Sequence, residues 1–183
     1  LDNLTNITTT SILGYGDDPI YLTNFGVMTE LDGTFTIDEN TFDRYFEENP
    51  LHFAALTTSQ VTTSSSIISG TMLGSDYTPG SYSFSIDSST SSGTIDTDTA
   101  LTRSGTTFVA TTGDVSGLFL STEEGASSAT IYVGRSLSET LQLFASEMLA
   151  SDGEIEDKLT LLDEEVDDYE EQLVSISDRM DSV

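Results

Sequence analysis

The sequence contains no cysteine and no tryptophan, one histidine (His52), three prolines and five basic side chains. Without cysteine, disulfides, zinc–thiolate sites and thiol catalysis are excluded. A lone histidine rules out any dyad or metal site that needs two. The basic residues are Arg44, Arg103, Arg135, Lys158 and Arg179, against 32 acidic ones, for a formal charge of −27. No Lys/Arg patch exists to neutralise a phosphate backbone, which argues against nucleic-acid partners. An anionic membrane surface repels such a chain for the same reason. No apolar run approaches the roughly 20 residues of a membrane-spanning helix. The opening "LDNLTNITTT" lacks the basic and apolar regions of a secretory signal. It does hold two N-x-Thr sequons, at Asn3 and Asn6, a motif short enough to arise by chance. The carboxylate excess suits an exposed or salt-rich setting. At 183 residues there is room for one or two domains with a core.

The first region, residues 1–57, carries the densest local signals. "GYGDDPIYL" (Gly14 to Leu22) reads as a loop punctuated by Gly and Asp-Asp-Pro. Val27 to Glu30 and Thr34 to Ile37 read as two strands around Leu31-Asp32-Gly33. Asp-Gly supplies the positive backbone angle of a tight turn. Asp38 is placed as the N-cap of a helix from Glu39. Phe42, Tyr45 and Phe46 then recur at helical spacing, and Asn49-Pro50 stops the helix. Core packing is the plain reading of that aromatic face.

Residues 58–130 shift to Ser and Thr, with one basic residue, Arg103. Low complexity of this kind often means disorder. Here, though, short apolar runs recur: "SIISGTM", "GSYSFSI", "GTTFVAT", "GLFLS" and "ATIYV". Tyr82, Phe84 and Ile86 share one face of "SYSFSI" with serines on the other, the period of a half-buried strand. Pro79-Gly80, Ser92-Gly93, Ser104-Gly105 and Ser116-Gly117 punctuate the runs. A small antiparallel all-β domain, ordered and inserted between helical parts, is expected.

The third region is helical. Ser136-Leu137-Ser138-Glu139 reads as a capping box, followed by a stripe of Leu137, Leu141, Phe144 and Met148. "SDGE" (Ser151 to Glu154) breaks it. Beyond the break, Leu159, Leu162, Val166, Tyr169, Leu173, Ile176, Met180 and Val183 keep a 3, 4, 3, 4 spacing without a slip. That is the a/d seam of a coiled coil. The "DEEVDDYEE" stretch flanks the seam with like charges, which disfavours pairing with a copy of itself. No other segment carries a matching heptad run, so the expected partner is a less acidic helix outside this sequence, and the chain reads as a fragment cut in mid-seam.

Taken together, these regions predict an α+β chain with four parts. They are a hairpin–helix unit (1–57), an inserted Ser/Thr-rich antiparallel β domain (58–130), a return strand and helix (131–153), and a long coiled-coil helix (154–183).

Motifs for chemistry are scarce. The serines lack a G-x-S-x-G elbow, and a hydroxyl without a base is inert. Asp96 to Asp98 and Glu123–Glu124 sit on Ser/Thr-rich turns, not across an apolar cleft as glycoside hydrolysis requires. "DGTFTIDENTFD" is rich in oxygen ligands but lacks calcium-loop spacing, so Asp32 and Asp38 read as turn and cap. No cofactor, no metal and no enzymatic activity are expected.

Two stretches, "IYLTNFGVMTELDGTFTIDENTFDRYFEENP" and "GRSLSETLQLFASEMLASDGEIEDKLTLLDEEVDDYEEQLVSISDRM", resemble the C-terminal portion of the flagellar filament-capping family, FliD or hook-associated protein 2. They carry that family's D-G-T/S hairpin, its helix ended by N/D-P, a Gly-containing break and a long heptad helix. The β segment between them is similar to insertions seen in some members.

The resemblance implies a structural role. The chain would act at the distal tip of the flagellum, outside the cell, as a homo-oligomeric ring that guides flagellin subunits into place. It implies that the hairpin–helix unit and the Ser136–Met148 helix form a base domain, packed through Phe42, Tyr45 and Phe46. It also makes the family's N-terminal helix, absent from this sequence, the partner of the seam Leu159, Leu162, Val166, Tyr169, Leu173, Ile176 and Met180. The strong acidity, 32 acidic side chains against five basic ones, departs from the family. The other reading is a secreted adhesive or glycan-binding β module with exposed Tyr77, Tyr82 and Tyr132.

Overall fold

A computed structural model describes residues 9–30, 33–96, 99–150 and 154–181. Both sequons, the Leu31–Asp32 half of the hairpin turn and the Ser151–Gly153 break lie outside the described residues. The fold is mixed α+β with a large antiparallel sheet. It divides into two compact units, Leu1–Thr140 and Leu141–Val183.

The first unit opens on a loop closed by a bridge between Ile12 and Ile20 and a 3-10 turn at Leu22–Phe25. Strands β1 (Val27–Thr29) and β2 (Phe35–Ile37) then form the expected hairpin, with Val27 opposite Ile37. Asp38 caps helix α1 (Glu39–Glu48): its carboxylate accepts from the amides of Asn40 at 3.1 Å and Thr41 at 3.4 Å. The Thr41 hydroxyl donates to the same carboxylate at 2.9 Å. These bonds, the Thr41 hydroxyl's first, hold the Asp38 carboxyl below its ordinary range. Pro50 cannot extend α1, and the chain continues as a 3-10 turn, Pro50–Phe53, into the short helix α2 (Ala54–Thr57).

A small core gathers Ile12, Tyr15, Ile20, Phe25 and Ala55, with Val27, Phe42, Tyr45 and Leu137 packed against it. Phe25 meets Tyr45 edge-on at 5.0 Å between ring centres. Phe46 does not join this core. It sits one helical turn beyond Phe42, stacks on it at 6.1 Å and meets Phe53 edge-on at 5.8 Å, leaving 42% of its surface exposed.

The Ser/Thr-rich region is an eight-stranded antiparallel sheet ordered β3-β10-β5-β6-β7-β8-β9-β4. The strands are β3 (Gln60–Thr63), β4 (Ile68–Met72), β5 (Gly80–Ile86), β6 (Gly93–Ile95), β7 (Thr99–Ser104), β8 (Thr107–Val109), β9 (Leu118–Thr122) and β10 (Ser128–Gly134). β7 pairs with β6 through Thr99–Leu101 and with β8 through Thr102–Ser104, so one strand serves both halves of the sheet. The inward residues Tyr82, Phe84, Ile95, Leu101, Phe108, Leu118, Leu120, Ile131 and Val133 form one buried core. Phe84 and Phe108 meet at 5.4 Å, and a Cβ at Gly93 would lie 2.5 Å from the Phe108 ring. Gly93 is therefore needed by the aromatic pair, not by the turn beside it.

The β region extends past the expected limit of residue 130. Ile131 and Val133 are fully buried in β10, between β3 and β5. The strand expected to return to the hairpin–helix part is thus a strand of the large sheet. Helix α3 (Leu137–Met148) follows.

The second unit contains the 28-residue helix α4 (Glu154–Asp181), a single long helix.

Candidate functional site

Helix propensity and spacing place the seam on α4: Leu, Glu, Lys and Gln favour the helix, and the 3, 4 spacing keeps its apolar residues along one stripe. Leu159, Leu162, Val166, Tyr169 and Leu173 are each more than half exposed, from 52% to 66%. Leu161 and Val174 are exposed to the same degree off the stripe, so it is the heptad spacing and not exposure that sets the stripe apart. Acidic side chains at 163, 165 and 170 border it, and the Tyr169 hydroxyl donates to Glu165 at 3.3 Å. The side chains of Ile176 and Met180, and all of Val183, lie outside the described residues.

Of the aromatic trio, Phe42 and Tyr45 lock α1 onto the loop and hairpin, as the small core shows. The Tyr45 hydroxyl lies 2.9 Å from Nδ1 of His52, and burial raises the Tyr45 pKa, so the phenol stays neutral beside the ring. His52 is engaged in this packing contact.

The three tyrosines of the adhesive reading do not share a surface. Tyr77 and Tyr82 are buried, each 8% exposed. The Tyr82 hydroxyl donates to the Thr78 carbonyl at 2.7 Å. Only Tyr132 faces outward, donating to Asp17 at 2.6 Å, a bond that raises its pKa. The alternation that places Phe84 inward places Tyr82 inward as well.

A polar junction that the sequence only half reveals joins β3 to the start of α3. Ser136 Oγ accepts from the Glu139 amide at 3.2 Å, the first half of the capping box. The second half is relayed: Ser59 Oγ accepts from the Ser136 amide at 2.8 Å and donates to Glu139. Arg135 lies over the Tyr77 ring at 4.3 Å, and its Nη2 donates to the carbonyls of Ser75 and Tyr77. Its Nε is 3.9 Å from Glu139. The Tyr15 hydroxyl donates to the Thr58 carbonyl at 2.9 Å, and burial, with the nearby Tyr77 and Glu139, holds its pKa far up. Ser59, Tyr77 and Arg135 gave no motif, because residues 59 to 139 meet only through the folded sheet.

Among the described residues, no group of three or more His, Asp or Glu gathers in a metal-binding arrangement, and no helix is long and apolar enough to cross a membrane. No protein-family model, curated protein or solved structure matches the chain.

Proposed function

We propose that this chain is part of a structural assembly of the flagellar-cap type, working by contact and not by bond chemistry. The observation that carries the reading is the heptad stripe of α4, which runs through the sequence without a slip and whose described members, Leu159 to Leu173, are each more than half exposed. A helix that leaves leucines exposed at heptad spacing is suited to a partner helix, and its acidic borders call for basic residues at the partner's flanks. In this reading α4 is the coiled-coil leg. The hairpin–helix unit, locked by Phe42 and Tyr45, and α3 make the base, and the Ser/Thr-rich sheet faces outward. The N-terminal helix of the same protein covers the seam, several copies form a ring outside the cell at the filament tip, and flagellin subunits are the clients.

Leu173→Asp tests the reading. A charge at the centre of the seam abolishes pairing, because it would be buried without a partner. The expected result is loss of ring assembly in negative-stain microscopy of the full-length protein, with the β-sheet circular dichroism unchanged. Normal rings from that variant would overturn the coiled-coil leg.

A further inference from the structure

The strands at the two ends of the large sheet, β3 and β4, lie against each other and offer no open edge. The hairpin differs. Among the described residues β2 pairs only with β1, and no other element makes more than a marginal approach to it. All three of its residues are exposed, Phe35 by 49% and Ile37 by 66%. The ladder decides which backbone groups face outward. The Glu30 amide donates to the Thr34 carbonyl at 2.8 Å, and the Asp38 amide to the Gly26 carbonyl at 2.9 Å. Hydrogen-bonded pairs alternate along an antiparallel ladder, so Met28 and Thr36 form the pair between those two. Phe35 and Ile37, opposite Thr29 and Val27, therefore turn their N–H and C=O groups away from β1.

Free strand edges are templates for another chain, and proteins usually guard them with charges, proline or bulges. The "FTI" of β2 holds neither a charge nor a proline. Its side chains alternate between two faces. Phe35 and Ile37 share one, and Thr36 lies on the other, where its hydroxyl donates to the exposed Glu30 carboxylate at 2.9 Å. The edge is thus apolar on one face and carries a carboxylate on the other. A second copy of this chain would bring the same edge and the same charge of −27, so charge complementarity favours a partner that supplies a cation.

We infer that β2 takes up an extended peptide segment of apolar–basic–apolar pattern, which becomes the third strand of the hairpin sheet. The two apolar side chains lie beside Phe35 and Ile37, and their backbone groups bond those of the same two residues. The Lys or Arg between them stands opposite Thr36, in the pair where side chains approach most closely, within reach of Glu30. Main-chain hydrogen bonds supply the affinity, and the carboxylate supplies the preference for a cation. The inference does not depend on the flagellar reading.

Three labelled, end-capped pentapeptides test it by fluorescence anisotropy on the whole chain at about 150 mM salt. They are Thr-Val-Lys-Val-Thr, its Glu counterpart, and the Lys peptide with both valine amides N-methylated. The Lys peptide is expected to bind, and the Glu and N-methylated peptides to bind at least tenfold more weakly. Ile37→Pro removes an outward N–H that β1 does not use, a change that edge strands tolerate. It weakens the Lys peptide at least tenfold, and so does Thr36→Lys, which sets a cation beside Glu30. Glu30→Gln lowers the preference for Lys over Glu at least threefold. Equal binding of the N-methylated peptide, which carries the same charge, would overturn strand addition. So would indifference to both edge variants, or no binding of the Lys peptide. A preference untouched by Glu30→Gln would overturn the place given to the cation.

Discussion

Asp38 links the sequence to the fold at a single residue. It follows an apolar strand and precedes a helical stripe, and its carboxylate caps α1 as that position requires. Because its folded pKa is depressed, its charge contributes stability fully above the unfolded value of about 3.9, and that contribution is lost as pH falls through the folded pKa. Asp38→Asn keeps a capping side chain without the titration. The urea midpoint of the parent relative to this variant should therefore hold steady from pH 7 to 5 and decline below pH 4. A difference that ignores pH would contradict the charge-based cap. Gly93 was legible only as a turn residue, since nothing local reveals that Phe84 and Phe108 meet above it. Gly93→Ala should destabilise by about 1–3 kcal/mol through overpacking, measured by urea unfolding. Tyr77 and Arg135 were opaque for the same reason: their partners lie across the sheet.

At the scale of elements, periodicity revealed what had enough apolar side chains to show it. β4, β5, β8, β9 and β10 coincide with the apolar runs, and the hairpin, α1, α3 and α4 with their turn, cap and stripe signals. β3, β6 and β7 were not foreseen. Each offers one buried or half-buried aliphatic residue (Val61, Ile95 and Leu101) among polar and small residues, too little for a period to register. The limit of the β region was missed because "ATIYVG" reads equally well as the last strand of one domain or the first of the next. Phe84, 1% exposed in the core of the sheet, should cost about 3–5 kcal/mol on replacement by Ala, read from denaturant unfolding of the sheet. On α4, Asp163 faces Asp167, Glu164 faces Asp168 and Asp167 faces Glu171, like charges one turn apart. Salt shortens the reach of that repulsion from about 10 Å at 0.1 M to about 3 Å at 1 M. Helical ellipticity of the whole chain should rise over that range; a flat response would mean that the helix does not feel its own charge.

Across the whole molecule, charge and hydroxyl groups are segregated. The strands of the sheet present Ser and Thr outward with the single cation Arg103, while carboxylates concentrate in the connecting loops and along α4. Such a division accords with the proposed reading, in which the acidic helix pairs with a partner of opposite character. In the proposed reading the heptad spacing calls for a partner helix, and the identity given to that partner rests on the resemblance of flanking segments to the filament-capping family. Size-exclusion chromatography with light scattering tests that central claim most directly. The chain would be run alone and then with the N-terminal heptad helix of the same protein, at low and high salt. The account predicts a monomeric or weakly associating chain that forms a discrete higher-order ring when the helix is added. A chain that stays monomeric in both salts with the helix present would contradict it.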